Sequence, residues 1–214
     1  MLVSEMMTTD VATVTEDASL NKAFQILYER RHKVLPVLKD GKLCGLLTER
    51  LLAEVRPSKA TALSVYELNY LMSRTKVRDI MKTDVFTVGA DALIEDAASI
   101  MYTNDIGSLP VIKKDKTLVG IVTQTDIFKA LIILMGVDNE GTRIALEVAD
   151  DVGVIAKVSQ ILADNSINIS SISNYNKGAK EQEIVLKLDV LDAGTVGRIT
   201  EKLTQTGYRI TSVH

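Results

Sequence analysis

Leu35-Pro36-Val37-Leu38 and Leu109-Pro110-Val111-Ile112 stand 74 positions apart (109 minus 35), and the match does not stop at their ends. The same shift sets Val3 opposite Val77, Thr9-Asp10-Val11 opposite Thr83-Asp84-Val85, Thr13-Val14 opposite Thr87-Val88, and Asp17-Ala18 opposite Asp91-Ala92. Ala23 meets Ala97 and Tyr28 meets Tyr102. After one inserted residue, Leu43, Gly45 and Thr48 fall opposite Leu118, Gly120 and Thr123. An internal repeat therefore organises the first two thirds of the chain, and the fold has to be read as two copies of one unit.

The unit is legible from its periodicities. Leu20, Ala23, Phe24, Leu27 and Tyr28 recur at helical spacing, and so do Ile94, Ala97, Ala98, Met101 and Tyr102, so each copy has a helix with one apolar face. A short Thr-Val segment precedes each helix. An apolar run, a Lys/Asp/Gly turn and a second apolar run (LCGLL or LVGIV) follow it. The order is strand, helix, strand, turn, strand, helix. So small a sheet cannot bury both faces alone, and two copies are expected to pack sheet against sheet as a pseudo-twofold pair.

Val3-Ser4-Glu5-Met6-Met7 and Val77-Arg78-Asp79-Ile80-Met81, each followed by Thr-Val, Leu-Pro-Val and a Gly-apolar-apolar-Thr run, resemble a tandem pair of CBS domains. The modules are set at residues 1–56 and 77–136, joined by a helical connector at 57–76; Val65, Leu68, Tyr70, Leu71 and Met72 give the stretch between the repeats its helical character.

The pattern changes from Thr142 onwards. Ile144 to Val148 reads as a strand, Val154, Ile155, Val158, Ile161 and Leu162 as a helical stripe, and Ile167 and Ile169 open another strand. Ile184, Leu186, Leu188 and Val190 alternate, Val196, Ile199 and Leu203 form a second stripe, and Tyr208, Ile210 and Ser212 close the chain. The order βαββαβ is ferredoxin-like. The turn Asp150-Asp151-Val152-Gly153, followed by Ile167-Asn168-Ile169, resembles the ACT domain over residues 142–214, with Val152 where the family's turn has proline. The fold class is thus α+β: two βαββα modules and a ferredoxin-like βαββαβ domain.

Composition removes several function classes. A formal net charge of -3, with no basic block, argues against nucleic acid as a partner. The longest apolar run, Ala130 to Val137, is too short to cross a bilayer, and no apolar leader opens the sequence, so a cytoplasmic protein is expected. One cysteine, Cys44, and two histidines, His32 and His214, offer no zinc set, and no phosphate-loop or hydrolase motif occurs. With no nucleophile or acid–base pair to nominate, no enzymatic activity and no cofactor are expected.

The CBS resemblance implies an adenosyl ligand, AMP, ADP, ATP or a relative, in a cleft between the two modules. The family's [ST]-x-x-D motif, which holds the ribose, is intact as Thr123-Gln124-Thr125-Asp126 and broken as Thr48-Glu49-Arg50-Leu51. The family pattern completes the Asp126 cleft with Met7 to Ala12, Ile121, and the run Arg30, Arg31, His32, Lys33, whose charge suits phosphate. The second-repeat equivalents Asn104, Asp105, Ile106 and Gly107 carry no positive charge. Two plainer roles stand beside these: helix-terminal charge for the basic run and an N-cap for Asp126. The ACT resemblance implies a small ligand, such as an amino acid, near Asp151, Gly153 and Asn168. Its plain counterpart is a cap at Asp151 and a tight turn at Gly153. The two modules in this order resemble acetoin-utilisation proteins, which implies a regulatory role in acetoin catabolism. Self-association as a homodimer or higher is expected, because Ile132-Ile133-Leu134-Met135 is too apolar to leave in water. A ligand-free oligomerisation scaffold is the main competing function, and an enzyme whose site carries no recognised motif is the third.

Overall fold

The computed structural model of the chain describes residues 1–29, 32–55, 65–178 and 180–214. They fall into two compact units, 1–128 and 129–214.

The first unit contains both copies of the repeat. After a short helix α1 (Val3–Met6), the first copy runs β1 (Val14–Thr15), α2 (Leu20–Glu29), β2 (Val34–Lys39), β3 (Lys42–Thr48) and α3 (Glu49–Val55). Strand β1 lies parallel to β2, with Val14 opposite Val37, and β2 pairs antiparallel with β3. Leu20, Ala23 and Leu27 turn one face of α2 into a core shared with Leu35, Val37, Leu47, Leu52 and Val77. Tyr28, from the same sequence stripe, is exposed and stacks on Phe24 with ring centroids 5.2 Å apart. Asp40 and Gly41 join β2 to β3 with φ of 49° and 77°, the two consecutive left-handed positions that a two-residue hairpin loop demands.

Helix α4 (Val65–Arg74) and a 3-10 turn (Val77–Asp79) lead into the second copy. Met72 joins the first core, whereas Tyr70 and Leu71 stay exposed. Residues 56–64 of the connector, and the side chains of Val65 and Leu68, lie outside the described residues. The second copy runs α5 (Ile94–Thr103), β4 (Ser108–Ile112), β5 (Leu118–Thr123) and α6 (Gln124–Leu134). Its first strand shrinks to one parallel bridge, Val88 to Val111. The inserted residue is absorbed by the hairpin turn, which spans 113–117 here and only 40–41 in the first copy.

The pseudo-twofold relation is visible bond by bond. Thr8 and Ile121 exchange two backbone hydrogen bonds of 2.9 Å, and their equivalents Lys82 and Leu46 exchange two of 2.9 and 2.8 Å. Val3 N–H donates to Ala92 O, and Val77 N–H to Ala18 O, both at 2.9 Å. Each copy's entry segment thus crosses to complete the other copy. The crossing needs glycine: a Cβ on Gly45 would stand 2.5 Å from Met81 Sδ and 3.1 Å from Lys82 O, and one on Gly120 2.5 Å from Met7 Sδ and 3.0 Å from Thr8 O.

The second unit holds β6 (Arg143–Ala149), α7 (Val154–Ala163), β7 (Ile169–Asn176), β8 (Glu181–Leu188), α8 (Ala193–Gln205) and β9 (Arg209–Val213). The sheet is antiparallel in the order β7-β8-β6-β9, the ferredoxin-like order. Ile144, Leu146, Val148, Ile184, Leu186 and Leu188 form one core with Val154, Val158, Leu162, Ile199 and Leu203. Val190, expected to continue the β8 alternation, is exposed beyond the strand end. In the ion cluster linking β6 to β9 and β8, Arg209 and then Lys177 hold Glu147 below the usual carboxylate range. No helix among the described residues is long and apolar enough to cross a membrane.

Candidate functional site

A cavity of about 390 Å³ lies between the two copies within the first unit. One wall is the entry segment Thr8, Asp10, Val11 and Ala12, held in place by the Thr8–Ile121 bridge. A second is His32, Lys33 and Val34 at the start of β2, and a third is Gly107 and Ser108 at the start of β4. Ile121, Thr123, Gln124 and Thr125, from the β5–α6 junction, complete it. Gln124 N–H donates to Gly107 O at 3.0 Å and Thr123 stands opposite Ser108 in the β4–β5 ladder, so these two walls are one rigid corner. Hydroxyls and an amide share the lining with the apolar Val11, Val34 and Ile121, the mixed composition of a small-molecule site.

Of the residues expected at this site, Ala12, His32, Lys33, Ile121, Thr123 and Thr125 come together around the cavity. Arg30 and Arg31 lie outside the described residues. Met7 does not line the cavity. Its sulfur is the atom packed where a side chain on Gly120 would go. Asp126 stands just behind the wall: its Oδ2 accepts from Thr123 N–H at 2.8 Å and from Thr123 Oγ1 at 2.7 Å. It is therefore not the N-cap of α6. Thr123 holds that position, and Asp126 reaches back from the first turn to fix the Thr123 hydroxyl. The first copy does this differently, with Thr48 Oγ1 accepting from Leu51 N–H at 3.2 Å and no carboxylate present. Ser108 is a lining residue that the sequence does not nominate, whereas Asp10 and Gln124 fall within the stretches Met7 to Ala12 and Thr123 to Asp126. The β4–β5 ladder, which sets Ser108 opposite Thr123, brings it in.

Asp151 and Asn168 are not brought together. They flank opposite ends of α7, whose ten residues separate them by roughly 15 Å. Asp151 does not cap α7 with its side chain either: Gly153 is the N-cap residue, with φ of 87° and no side-chain cap. Asp151 lines an open depression of about 660 Å³ with Val152, Lys157, Gln160 and Tyr208 among others, and Gly153 and Asn168 do not. The turn thus requires glycine for its left-handed φ, and Val152 projects into solvent. Elsewhere, burial pushes the Cys44 thiol up, opposite to what a nucleophile needs.

A CBS domain matches residues 3–57 and 77–133, and an ACT domain matches residues 142–208. The chain is a CBS-domain protein. Its two copies are a CBS pair, and its third region is an ACT domain. The pair is similar in structure to AcuB from Vibrio cholerae, with 28% identity and a TM-score of 0.54 over 64% of this chain and 95% of that one. It is similar to CBSX2 in complex with AMP (25% identity, TM-score 0.54, 62% of this chain and 97% of that one). The CBS pair of protein MJ0100 in complex with 5-methylthioadenosine and S-adenosyl-L-methionine has 26% identity and a TM-score of 0.50 over 61% of this chain and 95% of that one. Over 130 residues the chain is 35% identical to a homoserine O-acetyltransferase of Methanohalobium evestigatum; that is 60% of this chain but only 24% of the relative's length.

Proposed function

We propose that this CBS-domain protein is a non-catalytic regulator that binds one adenine nucleotide or related adenosyl compound in the cleft between its CBS modules. The observation that carries the proposal is the convergence of Thr123, Ser108 and Gln124 with His32 and Lys33 around one cavity of nucleotide size. Thr123, fixed by Asp126, and the free carboxylate oxygen behind it suit ribose hydroxyls, and Lys33 suits phosphate. The AMP and S-adenosylmethionine complexes of similar CBS pairs support the same chemistry. At the pseudo-equivalent place the chain offers Leu51 for Asp126 and Gly107 for Lys33, so one strong site per chain is expected.

In this account the ACT domain takes a second small ligand, such as an amino acid, the protein works in the cytoplasm, and the likeness to AcuB supports a role in acetoin utilisation. Self-association is part of it, because Ile132, Ile133, Leu134 and Met135, at the end of α6 and just beyond it, are all exposed. Light scattering should give a mass above the 23.4 kDa of one chain.

Ligand-induced stabilisation separates a sensor from a scaffold, since whatever binds only the native state raises Tm. A melting screen against AMP, ADP, ATP, NADH, S-adenosylmethionine and the amino acids should show a concentration-dependent rise with at least one adenosyl compound. A flat response to all of them would leave the scaffold.

A further inference from the structure

We infer that Met7 is a reversible oxidation site, and that a peroxide acting on its sulfur opens the crossing that forms one wall of the nucleotide cleft. Met7 stands between α1 and the Thr8–Ile121 bridge, with its N–H donating to Val3 O at 2.8 Å. Its side chain lies on Gly120 of β5, where the sulfur and Cγ stand 2.5 and 3.1 Å from the place a Cβ would take. One residue on, Thr8 and Ile121 exchange two backbone hydrogen bonds of 2.9 Å, and Asp10, Val11 and Ala12 then join Thr8 in the cleft wall. The thioether is thus the apolar wedge on which the entry segment rests against β5. It is only half-buried, so a small oxidant can reach it.

A peroxide transfers one oxygen to a lone pair of the sulfur: the S–O bond forms as the O–O bond breaks, sulfur is oxidised by two electrons, and the peroxide leaves as water or an alcohol. The sulfoxide is polar and chiral where the thioether was apolar and flexible, and sulfoxide reductases return it to the thioether. Gly120 leaves no room for the new oxygen on its side, because an atom added between the sulfur and β5 meets backbone. The oxidised side chain therefore turns toward water, where its oxygen finds hydrogen bonds, and the Thr8–Ile121 pair loses the apolar packing beside it.

The other sulfurs set Met7 apart. Met72 and Met101 are core residues, 9% and 2% exposed, and closed to a peroxide. Met135 is exposed, but it stands just beyond α6 and does not pack on either crossing glycine. Cys44 is a poor target, since burial pushes its thiol up and away from the reactive thiolate. Met81 is the pseudo-equivalent of Met7: it is half-buried, its sulfur lies on Gly45, and the Lys82–Leu46 bonds follow it. Its crossing belongs to the counterpart cleft, where Leu51 stands in place of Asp126, so Met81 is an internal control that oxidises without touching the nucleotide. The loss of nucleotide rests on binding in the cleft as proposed above, whereas the opening of the Thr8–Ile121 crossing does not.

The full chain should be treated with dilute hydrogen peroxide, with the sulfoxide at each methionine followed by peptide mass spectrometry, and with AMP affinity and hydrogen exchange at the Thr8 and Ile121 amides measured before and after. Expected are a sulfoxide at Met7, exchange of both amides faster by about tenfold or more, and AMP binding weaker by about tenfold or more. Methionine sulfoxide reductases should restore both readouts. Met7→Leu should keep its AMP affinity and slow exchange through the same treatment, and Met81→Leu should lose them as the wild type does. Met7→Gln, polar like the sulfoxide, should show the loss without peroxide. Met7 left reduced while Met135 is oxidised, unchanged exchange or wild-type AMP affinity after full oxidation of Met7, or an equal loss in peroxide-treated Met7→Leu would overturn the proposal. If the untreated chain binds no AMP, the nucleotide reading fails by itself, and exchange at Thr8 and Ile121 still judges Met7.

Discussion

The two CBS modules share a backbone and differ in chemistry. Both have a bulge at the same place, after Val37 and Val111, both are completed by a segment from the other copy, and both need glycine where that segment crosses. Yet His32 and Lys33 of the first module line the cavity, and the residues at their positions in the second are Ile106 and Gly107. The second contributes an Asp126 that fixes Thr123, and its counterpart has Leu51. The shared features are those that packing dictates. The differences collect at the cavity, where packing leaves freedom, and they make one complete cleft out of two half-sets.

If the symmetry is structural, paired substitutions must behave as pairs. The largest effect is expected at the cores: Leu35→Ala and Leu109→Ala each remove a fully buried side chain, and each should lower stability by about 2–5 kcal/mol in denaturant melts. A clear gap between the two would show that one module carries the fold and the other leans on it. Gly45→Val and Gly120→Val come next. Each forces a methionine sulfur and a backbone carbonyl to give way, so a loss of about 1–3 kcal/mol is expected from each. If one is tolerated and the other is not, the crossings are not equivalent.

Much of this fold can be read without coordinates, because the repeat doubles every signal. The helical stripes and the hairpins appear twice in register, and the ferredoxin-like order follows from simple alternation at Ile184, Leu186 and Leu188. The Thr-Val strand before each helix is legible in both copies, but its reduction to a single bridge at Val88 is not, since so short a strand has no periodicity to measure. The site was legible only in part. His32, Lys33 and Thr123 follow from the CBS resemblance, and comparing the repeats adds that Lys33 and Asp126 have no equal counterpart. Met7 was misplaced because sequence separation does not tell whether a residue beside the cleft faces it or fills the contact at Gly120. Asp151 and Asn168 stand at opposite ends of α7, as the helical stripe from Val154 to Leu162 between them already implies.

The central claim is that one cleft binds and its counterpart does not, with the Asp126 carboxylate as the deciding group. Calorimetric titration of AMP into the wild type and into Asp126→Asn and Asp126→Ala tests it most directly. Asp126→Asn keeps an oxygen to accept from Thr123 and so preserves the helix start, which separates lost binding from lost capping. The account predicts about one AMP per chain for the wild type and a loss of about tenfold or more in affinity for both variants, as removal of a charge-assisted hydrogen bond requires. Two equal sites per chain, or wild-type affinity in Asp126→Asn and Asp126→Ala, would contradict it.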